Sequence, residues 1–138
     1  VVKIRKTTHG FSLIELLIVL AIVGMITSVA APNYSKIRIQ SKEKAMIQVG
    51  HTLQIALESF YMEQGKYPEG TYTATELIDI LKLKNILTQT PKNPFTGSAF
   101  SGTDTSGDIE YSKNDGESYY SLIIRGFELE DIDVLTNQ

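Results

Sequence analysis

GFSLIELLIVLAIVGMITSVAAPNY, residues 10–34, is the stretch whose reading decides the fold. From Phe11 to Ala31 the only charged side chain is Glu15. An apolar run of about 20 residues is long enough to cross a bilayer as a helix. In hydrocarbon a helix satisfies its own backbone groups, so continuous helix is the expected state there. Lys3, Arg5 and Lys6 precede the run and favour a cytoplasmic N-terminus, but Lys36, Arg38, Lys42 and Lys44 follow it. Charge bias alone therefore leaves the orientation open.

Three readings of this segment compete. A secretory signal has a short apolar region followed by a small-residue cleavage site, and Ser28-Val29-Ala30 imitates such a site. The apolar run here is longer than the usual 7–15 or so residues of such a region. A plain membrane anchor accounts for the length but leaves Glu15 without a purpose. A carboxylate held mid-bilayer costs about 2.5–3.5 kcal/mol, and snorkelling to the interface lowers that cost.

The third reading accounts for the acid. Gly10-Phe11-Ser12-Leu13-Ile14-Glu15-Leu16-Leu17, behind a short basic leader, resembles the class III signal of type IV prepilins. The resemblance implies cleavage between Gly10 and Phe11 by a prepilin peptidase, N-methylation of Phe11, and retention of the apolar helix in the mature protein. It also implies that Glu15 pairs with the new Phe11 amine of its own or a neighbouring chain during assembly. An unpaired carboxylate inside an apolar filament core would be strongly unfavourable, which gives that pairing its physical basis. Gly24 and Pro32 match the spacing of the glycine and proline of many type IV pilins. Gly costs a helix about 1 kcal/mol against Ala and an interior Pro about 3 kcal/mol, so both are expected weak points of the helix, as a kink or a local melt.

The remainder reads as a small head. At 138 residues the chain has room for one domain. Val49, Leu53, Ala56, Leu57 and Phe60 fall on one face of a helix that stops before Gly65. Lys66–Gly70 is a turn by composition. Thr73 and Glu76 have capping-box spacing ahead of a short helix to about Lys84. Thr90–Gly97, with Pro91 and Pro94, is a rigid loop in which the family often has Asp-Pro before an aromatic, so Asn93 is a mild departure. Alternation around Ile109 and Tyr111, and around Tyr120, Leu122 and Ile124, predicts strands joined by a turn at Lys113–Glu117. A last strand near Ile132–Leu135 completes the sheet. The expected class is α+β, the pilin fold: a long N-terminal helix, transmembrane half plus amphipathic half, on a three- to four-stranded antiparallel sheet. The expected domains are a cleaved leader at 1–10, a transmembrane or filament-core helix at 11–31, and a globular head at 32–138.

Catalysis finds no support in the residues. Cysteine is absent and His9 and His51 are the only histidines, so a nucleophile, base and orienter set is hard to build. No broad basic face suggests nucleic-acid binding. No cofactor is expected, with one structural exception. Asp104, Asp108, Asp115, Asp131 and Asp133 lie in the acid-rich last third and are candidate ligands for calcium, which takes hard oxygen donors. Their spacing matches no EF-hand loop, and a solvated acidic surface is the plainer reading.

The resemblance implies a structural subunit that forms a homo-oligomeric helical filament, an adhesive, twitching or DNA-uptake pilus. Alternatives are the major pseudopilin of a type II secretion system and a membrane-anchored binding module. Implied partners are the prepilin peptidase, an assembly platform protein and ATPase, minor pilins or pseudopilins, and the lipid bilayer before assembly. The implied location is the bacterial inner membrane, with the head outside the cytoplasm, then an extracellular pilus or a periplasmic pseudopilus.

Overall fold

A helix α1, Leu13–Gln64, leads the chain. β1 (Gly70–Thr73), α2 (Ala74–Leu83), β2 (Asp108–Lys113), β3 (Ser121–Arg125), a 3-10 turn (Phe127–Leu129) and β4 (Asp131–Thr136) follow it. The computed structural model describes residues 10–137, with the backbone alone at residues 30–32. Leader residues 1–9, His9 among them, and the Pro32 side chain lie outside the described residues. The chain divides into two compact units, Val1–Ile37 and Arg38–Gln138.

In the first unit the described apolar side chains of α1 are open on every side. Leu13 is 83% exposed, and even Val19, the least exposed of the large ones, is 51% exposed. α1 is also the one helix among the described residues that is long and apolar enough to cross a membrane.

The second unit holds the core. The four strands form a sheet in the order β1-β2-β3-β4, each antiparallel to its neighbour. Inward residues Ile109, Tyr111, Leu122 and Ile124 are fully buried and belong to one apolar cluster with Met46, Leu53, Leu57 and Phe60 of α1. The cluster is the meeting of a period-2 face with a helical stripe, as the spacing of both predicts. Gly50 extends the stripe: a Cβ there would overlap Ile124 Cδ1 and lie 3.0 Å from its Cγ1. α1 ends where Gly65, at φ +74°, donates its N–H to the Tyr61 carbonyl at 2.8 Å, a conformation glycine adopts without steric cost.

α2 begins with the expected capping box. The Thr73 amide donates to Glu76 Oε2 at 2.9 Å while the Thr73 hydroxyl accepts from the Glu76 amide. Leu77 and Leu81 then enter the core. Strand β1 differs from the expectation of a bare turn at its start. Gly70 pairs with Lys113 and Tyr72 with Tyr111, so the short GTYT segment is an edge strand whose side chains offer little alternation to read. β4 confirms the expected last strand and is longer than the residues Ile132–Leu135 imply.

Two polar centres brace the head. Glu58 accepts the Tyr67 hydroxyl at 2.8 Å and the Tyr120 hydroxyl at 3.2 Å, and the Tyr111 hydroxyl donates to the Pro68 carbonyl at 2.6 Å. In the 91–107 loop the fully buried Asn93 turns its Nδ2 toward Asp104 Oδ2, the Ser106 carbonyl and the Gly107 carbonyl at 2.9, 3.0 and 2.8 Å. Its Oδ1 accepts the Phe95 amide. Gly107 takes φ +74° directly beside it, where a Cβ would overlap that Oδ1.

Candidate functional site

The N-terminal end of α1 is built by two reciprocal hydrogen bonds. The Glu15 amide donates to Ser12 Oγ at 3.2 Å, and the Ser12 amide donates to Glu15 Oε2 at 3.4 Å. Ser12 immediately precedes Leu13, so this is a capping box with Glu15 three residues into the helix. Glu15 thus has a local partner in addition to the role the prepilin resemblance implies. The sequence carried the signal, Ser-x-x-Glu before an apolar run, and it is masked when the acid is assigned to assembly alone. Gly10, Phe11 and Glu15 are all exposed, so the junction and the acid stand open to other molecules.

Gly24 has no atom other than its own helix within reach of an added Cβ. Next to it the Thr27 hydroxyl donates to the Val23 carbonyl and the Ser28 hydroxyl to the Met25 carbonyl, both at 2.8 Å. Such back-bonding competes with the main-chain ladder and favours bending. Pro32 has no N–H to offer the Ser28 carbonyl one turn earlier. The helix assignment nevertheless runs unbroken across both positions.

The five candidate calcium ligands do not gather. Asp104 Oδ2 accepts from Asn93 and from the Ser101 amide. Asp115 is exposed in the β2–β3 turn. Asp133 Oδ1 accepts the Val134 amide. Asp108 and Asp131 instead flank Arg125, which also binds Glu110 at 2.9 Å. Among the described residues no three acidic or histidine side chains are placed to hold a metal ion. Burial pushes the Asp108 carboxyl up, outweighing the Ile109 amide and Arg125, which pull it down. Burial alone would lower the Arg125 guanidinium, but Glu110 and Asp131 hold it above its ordinary value. This arginine hub and the Asn93 centre were not singled out by sequence, because an isolated Arg or Asn carries no spacing signal. His51 is exposed on α1, its Nδ1 3.4 Å from Gln54 Oε1.

The family model of the prokaryotic N-terminal methylation motif matches residues 5–31. The type IV major pilin protein PilE1 of Neisseria gonorrhoeae is 37% identical over 65 residues, 47% of this chain and 39% of that protein. The type IV major pilin protein PilA of Myxococcus xanthus is 35% identical over 67 residues, 49% of this chain and 30% of that protein. The chain therefore spans well under half the length of these two pilins. The fimbrial protein EcpC of Eikenella corrodens is 22% identical over 125 residues, 82% of this chain and 80% of that protein. No solved structure matches the chain. The chain thus carries the prokaryotic N-terminal methylation motif at residues 5–31 and is similar, over about half of its length, to type IV major pilins.

Proposed function

We propose that the chain is a structural, non-catalytic subunit of a type IV pilus or pilus-like filament, cut between Gly10 and Phe11 and N-methylated on Phe11. One observation carries the reading: α1 presents an apolar surface on every side from Leu13 to Val29 with Glu15 as its only charge, within the stretch that matches the methylation motif, residues 5–31. Such a surface needs lipid or like helices around it. In the bilayer it is an anchor, with the head outside the cytoplasm. In a filament the helices bundle, because their apolar area must stay out of water once lipid is left behind. Glu15, near the cut, then meets the Phe11 amine of its own or an adjacent copy. Gly24 and Pro32, with the back-bonded Thr27 and Ser28 between them, supply the segment that yields as helices adjust to one another. Extraction from the bilayer calls for an assembly platform and ATPase, and minor subunits start or end the filament.

Mass spectrometry of sheared surface material tests this. A subunit beginning with N-methylated Phe11 is expected. A chain that stays in the membrane with its leader attached would overturn the reading. A processed chain absent from shear, whose deletion stops protein export, would assign it to a secretion pseudopilus.

A further inference from the structure

A pocket of about 400 Å³ opens in the head where α1 ends, between Tyr61, Lys66, Tyr67 and the β2–β3 turn. Lys113 lines it from the inward face of β2, the face that bears Ile109 and Tyr111, and is only 8% exposed. Among the described residues the Lys113 amine makes no ion pair or hydrogen bond, yet none of their buried side-chain nitrogens is left without a partner. Its amine must therefore reach solvent through the pocket. The stem is thus buried while its charged head meets water in a narrow opening, a place where an anionic group finds a cation with no partner among the described residues and can form a charge-assisted hydrogen bond. Lys66, on the same rim, is held only by Glu69 at 3.8 Å. Glu117, the one acid in the lining, accepts from Asn114 Nδ2 and the Tyr119 hydroxyl, neutral donors that leave its charge in place, so the lining's two lysines outnumber its acid by one. Tyr61 stacks one ring face on Tyr67 at 4.7 Å and is 46% exposed. The pocket thus offers cationic donors beside an aromatic surface.

The complementary surface lies elsewhere on the same head. The turn Phe127–Glu130 carries Phe127 and Leu129, 41% and 39% exposed, alternating with the exposed Glu128 and Glu130. Glu128 and Leu129 both have positive φ, 54° and 60°, a conformation that costs about 1–3 kcal/mol per residue where it is not glycine. The turn starts beside α1 at Glu43, since a Cβ on Gly126 would lie 3.1 Å from Glu43 Cγ. Glu43 and the pocket at Gly65 are 22 residues apart on and just past one helix, about 33 Å at 1.5 Å per residue. Acidic-apolar and basic-aromatic surfaces thus stand at opposite ends of the head. Two different patches that fit each other make a head-to-tail contact, and such contacts propagate into helical filaments.

We infer that this pocket receives the Phe127–Glu130 turn of a second copy of the chain, with a glutamate on Lys113 and Lys66 and an apolar side chain on Tyr61. The inference rests on the filament reading above and adds the contact between heads. The chain has no cysteine, so crosslinking is clean. The full-length chain carrying Lys66→Cys and Glu130→Cys, both at exposed sites, is expected to give a ladder of linked copies after treatment with a short thiol-reactive crosslinker. Each single variant should give none. Lys113→Met, which keeps the buried stem, should lower filament yield at least tenfold. Glu128→Lys with Glu130→Lys should do the same, and Lys113→Glu with Glu128→Lys should recover at least part of it. Filaments at normal yield from Lys113→Met, or filaments of the double-cysteine chain without a ladder, would overturn the head contact and leave the filament reading standing. Failure of the unaltered chain to form filaments would overturn both.

Discussion

Asn93→Asp changes one atom type at a fully buried position, and its effect follows from the distances. Three oxygens surround Nδ2 within 3.0 Å, those of Asp104, Ser106 and Gly107. Replacing that NH₂ by oxygen removes the donor from all three; Asp104 keeps the Ser101 amide, while the buried Gly107 carbonyl left unsatisfied costs about 1–3 kcal/mol. It also sets a carboxylate against Asp104, about 4 kcal/mol for unit charges about 4 Å apart at a partly screened site. Rotation and protonation relieve part of this, so we expect a loss of about 3–5 kcal/mol near neutral pH. The introduced carboxyl should titrate above its unfolded value in the fold. Its penalty is then largest above that raised pKa and fades as pH falls toward the unfolded value. Thermal unfolding of the full chain in detergent micelles, followed by circular dichroism at pH 7 and at lower pH, measures both. Because the variant creates a nest of oxygens without a cation, Ca²⁺ should raise its Tm more than that of the unaltered chain. A loss below about 1 kcal/mol, or one unchanged by acid, would refute the account of Asn93 as the loop's donor.

Three further outcomes are expected. Gly50→Ala gains about 1 kcal/mol of helix propensity but overlaps Ile124, and overpacking of about 1–3 kcal/mol should win; urea unfolding should show the loss shrinking in an Ile124→Val background, and additive effects would contradict the contact. Burial foremost, with Glu58 contributing at Tyr67 and Tyr120, raises the Tyr67, Tyr111 and Tyr120 hydroxyls. Their stabilisation is complete below the unfolded tyrosine value near 10 and lost above it, by up to about 1.4 kcal/mol per pH unit per tyrosine; a urea midpoint that stays level through this alkaline range would count against it. Glu15→Leu should leave membrane insertion and cleavage intact while reducing sheared filament at least tenfold, and normal yield would remove the assembly role.

Legibility followed the reach of each interaction along the chain. The α1 stripe, the Thr73 box and the β2 and β3 alternation are set within a few residues, and each appears where its spacing places it. Met46 and Gly50 extend the stripe beyond Val49, but a glycine has no hydropathy to mark it and its role exists only because Ile124 approaches. β1 was hidden by its composition, Gly70 and Thr71 being as common in turns as at a sheet edge. Among the candidate sites, the junction, Glu15, Gly24 and Pro32 are named from local spacing and a resemblance, and what the fold adds there is the Ser12–Glu15 cap and a helix unbroken at both Gly24 and Pro32. The fates of Asp104, Asp108 and Asp131 were not, since their partners Asn93 and Arg125 are chosen by the fold. Lys113 shows the same limit: its strand position predicts an inward side chain, and nothing nearby says what an inward amine would face.

Arg125 has a mechanical meaning if the head carries load. β4 is held along one edge only, by β3, with a register shift between Ile124 and Arg125. At that irregularity a single guanidinium grips Asp108 and Glu110 of β2 and Asp131 at the start of β4. Tension applied at the Asp131 end of β4 would reach this clasp before the regular ladder and be shared at once among three strands. Peeling from that end must break a multidentate, charge-assisted joint first, whereas pulling from the Thr136 end meets the ladder bonds one at a time. The head should therefore resist force unequally from its two ends, with Arg125 as the tougher stop.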